Sequence, residues 1–151
     1  MNLGELYQSV ILDHNAKPRN FREMESSTHR IEAYNPLCGD HFIVFLKLAG
    51  DIVEDISFTG SGCAISKAST SLMTAAVKGM KRAAALDLFE KFHHLITADL
   101  DEELDLTSVG KLAVFSGVRE FPARVKCASL SWHTMKTGLT EDDLTSPVTT
   151  E

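Results

Sequence analysis

Leu3, Leu6, Tyr7, Val10, Ile11 and His14 recur at spacings of three and four with polar residues between them, the period of an amphipathic helix. Asn2 followed by Glu5 forms a capping pair at its start. The helix stops before Pro18, because a residue preceding proline is biased away from helical geometry, and residues 15–20 read as a turn. The period then shortens to two. Residues 29–35 look extended, and Phe42, Val44, Leu46 and Leu48 alternate with Ile43, Phe45 and Lys47. Gly50 and Asp51 turn the chain into a second such run. Here Ile52, Glu54, Ile56 and Phe58 fall on one face and Val53, Asp55, Ser57 and Thr59 on the other, so the pattern predicts an antiparallel hairpin.

A helical period returns over residues 64–80, where Ile65, Ala68, Leu72, Ala76 and Met80 line one side. Leu88, Phe89, Phe92, Leu95 and Ile96 form the stripe of another helix near residues 82–97. Residues 99–120 show no clear period; their acidic run, Asp99, Asp101, Glu102, Glu103 and Asp105, reads as a solvated surface open to a partner. Pro122 suits the first turn of a last helix bearing Val125, Ala128, Trp132, Met135 and Leu139. Residues 1–144 are thus expected to form one domain, and residues 145–151, which lack an apolar pattern, a flexible tail.

Composition narrows the setting. A chain of 151 residues that is 44% hydrophobic can bury roughly 68–70% of its unfolded surface and needs no disulfides to fold. Three cysteines, an odd number, argue against a closed disulfide framework and suit a reducing compartment, so a cytoplasmic protein is expected. Glu5 and Asp13 interrupt any signal-like apolar core at the amino terminus, and no apolar run approaches the roughly 18 residues of a membrane helix. A net charge of −6 disfavours binding to nucleic acid through phosphate neutralisation. Protein or small-molecule partners are the expectation.

The candidate chemistry lies in those three cysteines. Cys38 stands in Asn35-Pro36-Leu37-Cys38-Gly39-Asp40, Cys63 follows Gly60-Ser61-Gly62, and Cys127 follows Arg124 and Lys126. Cys38 and Asp40 are two apart, so an extended segment projects both to one side, with Gly39 leaving room between them. Cys63 stands at a predicted helix start, where the helix dipole favours a thiolate. Three thiolates and one carboxylate can complete a tetrahedral zinc shell, with the carboxylate as the weak member. His41 is a reserve ligand. Spacing alone is also met by three small buried thiols, because no Cys-x-x-Cys pair is present. A dithiol redox motif is absent, a cysteine hydrolase has no visible base, and Gly60-Ser61-Gly62 lacks the lysine and hydroxyl of a phosphate loop.

Three segments together resemble a known family. Asn35-Pro36-x-Cys38-Gly39-Asp40, Phe58-x-Gly60-x-Gly62-Cys63-Ala64-Ile65-Ser66-x-Ala68-Ser69 and Pro122-x-Arg124-x-Lys126-Cys127-Ala128 with Trp132 are similar to the IscU/SufU/NifU amino-terminal domain family, over about residues 3–139. The resemblance implies an α+β fold, a small three-stranded antiparallel sheet packed against several helices, and a role in iron–sulfur cluster assembly. The cluster-scaffold branch places a histidine immediately before the third cysteine, where this chain has Lys126. The stretch between Cys63 and Cys127 is also longer here, around residues 97–118. Both departures resemble the SufU branch.

That branch implies zinc held at Cys38, Asp40, Cys63 and Cys127, and sulfur accepted from a pyridoxal-phosphate cysteine desulfurase for a downstream iron–sulfur scaffold. Cys38 is the expected carrier, because a loop cysteine between Pro36 and Gly39 swings out more cheaply than one fixed at a helix. Arg124 is expected to stabilise the displaced thiolate or persulfide, and Asp40 to tune lability. The alternatives are a scaffold that builds a [2Fe–2S] cluster on the same cysteines and a zinc-stabilised domain that only activates its partner.

Overall fold

In a computed structural model, which describes residues 2–141 and 147–150, the first helix α1 spans Leu3–Ala16. The Asn2 side chain caps it, accepting from the Glu5 N–H at 2.9 Å. Three antiparallel strands follow: β1 (His29–Asn35), β2 (Asp40–Ala49) and β3 (Ile52–Ser61). Asn35 pairs with Asp40 and His41 with Ser61, so the end of β1, the start of β2 and the end of β3 lie at one end of the sheet.

The structure corrects the hairpin face. Lys47 pairs with Asp55 but Leu48 pairs with Val53, so β3 carries one extra residue in a bulge. Val53 therefore turns inward beside Ile56 and Phe58, and Ile52 is left exposed. A strict period of two cannot register such an insertion. The strand count is corrected too. The sheet has four strands rather than three, in the order β3-β2-β1-β4, with β4 (Val148–Thr149) parallel to β1. A two-residue strand carries no alternation to detect, and it forms because β1 offers a free edge while Val148 packs on the core. This strand comes from the segment expected as a flexible tail; residues 145, 146 and 151 of that segment lie outside the described residues.

Helix α2 (Ala64–Val77) ends three residues before the expected boundary. The Val53 N–H donates to the Met80 carbonyl at 2.8 Å and the Gly79 N–H to the Val53 carbonyl at 2.8 Å, which draws residues 78–80 out of the helix and onto β3. Helix α3 (Arg82–Thr97) matches its stripe. Thr107–Glu120, where no period showed, forms two 3-10 stretches broken at Gly110, whose φ is 56°. Helix α4 (Pro122–Thr140) starts on its proline, as expected.

The inward face of the sheet, with Ile31, Val44, Leu46 and Ile56, packs against α2 and α4, and α3 extends the same core from the far side of α4. One polar chain sets the height of α4. The Trp132 ring stacks on Phe92 at 4.4 Å, its Nε1 donates to Ser69 Oγ at 3.2 Å, and the Ser69 hydroxyl donates to the Ala128 carbonyl at 2.6 Å. Those bonds run from α2 to α4 beside Cys127 and fix its depth. No helix among the described residues is long and apolar enough to cross a membrane.

Candidate metal centre

Two turns and one helix of the chain meet at one end of the sheet. Residues 36–39 join β1 to β2 and carry Cys38, whose side chain is exposed. Gly39 takes φ 71°, a conformation that glycine adopts without strain. Asp40 is the first residue of β2 and faces inward, fully buried. Cys63 follows β3 and is the N-cap of α2, its sulfur accepting from the Ser66 N–H at 3.4 Å. Cys127 stands in the second turn of α4 and is buried.

These residues converge although 89 positions separate the first from the last in sequence. The sulfurs of Cys38 and Cys127 lie 3.1 Å apart. Cys38, Asp40 and Cys127 each bring a ligand atom to within 4.8 Å of one another, a group that could hold a metal ion. Cys63, the fourth expected ligand, is not in that group of three; what it brings is its backbone N–H, which donates to Asp40 Oδ1 at 2.7 Å. Gly62 makes that approach possible. A Cβ there would stand 2.6 Å from Asp40 Oδ1 and 2.8 Å from the Phe42 ring.

The electrostatics call for a cation. The Asp40 carboxylate accepts from Asn35 Nδ2 at 3.0 Å and from Cys63 N, yet among the described residues no Lys, Arg or His pairs with it. A buried carboxylate is costly unless its charge is met. The thiols add to this. The neighbouring Cys127 thiol lowers Cys63 to about 7 against burial, and the Ser66 N–H helps. Cys63 in turn raises Cys127 above its ordinary value of 9.0, with burial and Cys38 acting the same way. That bias favours the thiolate at Cys63 and the thiol, with its proton, at Cys127. A metal ion at this point would displace that proton.

Two candidates lie apart from this cluster. His41 follows Asp40 in a strand and so points to the other face, where its Nε2 meets Glu32 Oε1 at 3.0 Å. Arg124 is exposed and lies over the Phe121 ring at 4.3 Å; among the described residues no hydrogen bond joins it to a sulfur. It borders a cavity of about 520 Å³ that Tyr7, Ile65 and Phe121 also line. Lys126 is exposed on the outer side of α4. The acidic run serves its own neighbourhood, with Asp105 holding Thr107 and Glu102 meeting His94. Asn35 is the residue the sequence left without a role: it is fully buried and touches both Asp40 and Cys127. Its one signal was its place before Pro36, where an Asn-Pro pair marks a turn.

Residues 6–128 match the family model described as the NifU-like N terminal domain. The chain is 41% identical over 143 residues to a protein of Bacillus subtilis named zinc-dependent sulfurtransferase SufU, with 94% of this chain and 95% of that one covered. It is 35% identical over 134 residues to a protein of Streptococcus pyogenes named iron–sulfur cluster assembly scaffold protein IscU, covering 89% and 82%. Among solved structures, one from Fervidobacterium islandicum AW-1, described as an iron–sulfur cluster assembly scaffold for the SUF system, superposes with a TM-score of 0.81. That match has 30% identity and covers 90% of this chain and 98% of the other. A NifU-like protein from Brucella abortus superposes at 0.78 with 18% identity over 91% and 94%, which is a likeness of fold.

Proposed function

This chain belongs to the NifU-like N-terminal domain family of iron–sulfur cluster assembly proteins, and from that premise we propose that it is a zinc-dependent sulfur acceptor working in the cytoplasm with a pyridoxal-phosphate cysteine desulfurase. The observation that supports this reading is the asymmetry of the cysteines: exposed Cys38 and buried Cys127 bring their sulfurs to one buried carboxylate, and Cys63, which caps a helix, holds that carboxylate through its backbone N–H. Three sulfurs and one carboxylate oxygen suit zinc, a borderline-soft ion that accepts both. Cys38, Asp40, Cys63 and Cys127 would hold it. When bound, zinc supplies positive charge that keeps the sulfurs as thiolates at neutral pH.

The residues themselves account for the transfer. Cys38 sits on a turn of four residues at the surface, where a partner's persulfide has access. Its thiolate attacks the terminal sulfur of the desulfurase persulfide, a new S–S bond forms at Cys38, and the bond within the partner's persulfide breaks. The partner's cysteine leaves as a thiolate, so a sulfur atom moves without an external oxidant or reductant. Cys127 and Cys63 stay fixed by α4 and α2, and Asp40 stays fixed by Asn35 and the Cys63 N–H. Arg124, three residues before Cys127 on α4 and outside the hydrogen-bonded group, offers a cation for the incoming charge. A downstream iron–sulfur scaffold would then receive the sulfur.

The test is mass spectrometry after incubation with the desulfurase and L-cysteine. Wild-type protein should gain one sulfur on Cys38, and Cys38→Ser should gain none; a C38S protein that acquires sulfur elsewhere at the wild-type rate would reject the carrier assignment. The second reading is a scaffold that assembles a [2Fe–2S] cluster on the same thiolates, which the Streptococcus relative's name favours. Lys126, at the position before Cys127, has no imidazole to offer such a cluster. Metal analysis with a visible spectrum separates the two, because zinc protein is colourless and a cluster absorbs.

A further inference from the structure

Four contacts converge on the side-chain amide of Asn35, buried at the end of β1. Its carbonyl oxygen accepts from the Leu37 backbone N–H at 3.2 Å and from the Thr150 hydroxyl at 2.9 Å. Its nitrogen donates to Asp40 Oδ2 at 3.0 Å and faces Cys127 Sγ at 3.7 Å. These partners decide which way the amide points. Turned over, its NH2 would meet the Leu37 N–H donor to donor, and its oxygen would face a carboxylate. Thr150 reaches this amide because β4 runs beside β1 and the Thr150 N–H extends the pairing to the Tyr34 carbonyl at 3.4 Å.

We infer that Asn35 is a positioning residue for Asp40 and Cys127, and that Thr150, at the end of the C-terminal strand, locks its amide in the orientation that does so. The inference rests on the metal-binding reading above and extends it to a part of the chain that supplies no ligand. A hydrogen bond to an ionised acceptor is about twice as strong as one between neutral groups. With one carboxylate oxygen held by Asn35 and the other by the Cys63 N–H, the Asp40 rotamer is fixed and its free lone pairs are aimed. Removing the Asn35 donor leaves a buried acceptor unmet. Removing the Thr150 hydroxyl leaves the donor in place but loosens its orientation, so its effect should pass through Asn35.

The test uses the full chain as wild type, Asn35→Ala, Thr150→Val, Thr150→Ser and the double variant N35A/T150V. Zinc affinity is read by competition with a chromophoric chelator, and ligand geometry by the visible bands of the cobalt-substituted protein. N35A should weaken zinc by about 10- to 100-fold, the range for partners that orient metal ligands, and shift the cobalt bands. T150V should show a smaller loss in the same sense, roughly 3- to 10-fold. T150S, which keeps the hydroxyl, should match wild type. The double variant should be no weaker than N35A alone, because coupled residues are not additive. Should N35A fail to fold by circular dichroism, the T150V and T150S pair decides: a difference supports the lock, and equality overturns it. A tight wild-type site with unchanged variants, or fully additive losses, overturns the lock and leaves the proposed function standing. A wild-type protein that takes up no zinc overturns both.

Discussion

At the scale of single residues, the site is decided by what is small as much as by what is reactive. The three cysteines and Asp40 were legible because each has an unusual local setting, but Gly62 looked only like part of a turn. Its function is to leave space: a methyl group there would stand 2.6 Å from Asp40 Oδ1 and 2.8 Å from the Phe42 ring. Gly62→Ala must therefore push the carboxylate or the ring aside, an overpacking change that costs about 1–3 kcal/mol. The expected outcome is a lower unfolding midpoint in urea together with reduced zinc per chain after gel filtration. Unchanged zinc content would show that Asp40 can move without consequence. Asn35 illustrates the opposite limit of sequence reading. Its value comes from Leu37, Asp40, Cys127 and Thr150 around it, and two of those partners are far along the chain.

At the scale of elements, the helices with strong stripes were foreseeable and the irregular segments were not. Helix α3 spans Arg82–Thr97 because five large apolar side chains share one face, whereas Thr107–Glu120 breaks at Gly110 and has no single period. The bulge in β3 and the two-residue β4 escaped for the same reason: each is settled by its neighbour, not by its own sequence. Helix α4 shows how packing delivers a ligand. Gly138 lets it lie close on the sheet, since a Cβ there would be 2.5 Å from Leu46 Cδ1 and 2.8 Å from Ile31 Cδ1. Gly138 lies in the last turn of α4, so replacing it by alanine gains at most the roughly 0.5–1 kcal/mol of a helix-interior glycine, whereas overpacking a core costs about 1–3 kcal/mol. The second effect should win. Gly138→Ala is expected to lower stability in urea unfolding, and a gain would mean that the two side-chain tips yield freely.

At the scale of the whole molecule, stability should depend on pH through two histidines held in their neutral form. Burial lowers His14 below its ordinary value of 6.5, and nearby Arg19 acts the same way. Ser71 Oγ, which accepts from the Arg19 N–H at 2.8 Å, has its hydroxyl free to donate to His14 Nδ1 at 2.7 Å. Burial lowers His133 as well, with His93 and Lys136 adding to it. At these two histidines the unfolded chain then binds more protons than the folded one below about 6.5, so their contribution is full above that pH and falls as the pH drops through the window beneath it. The lowered carboxylates Asp13, Asp55 and Asp105 act in the same sense only around and below their ordinary 3.8. Urea midpoints between pH 7.5 and 5.5 should therefore decline, and His14→Gln should flatten the slope; a slope unchanged in H14Q would exclude His14 as its source. What the sequence determined by itself was everything carried by short-range pattern: helix and strand periods, the cap at Asn2, the helix start at Pro122, and four candidate ligands in recognisable settings. Only the tertiary structure decided that Cys38 and Cys127 stand 3.1 Å apart, that His41 faces away, that a fourth strand closes the edge of β1, and that Thr150 reaches Asn35. The physical reason is that period and capping depend on a few adjacent residues, whereas these contacts depend on packing between segments distant in the chain.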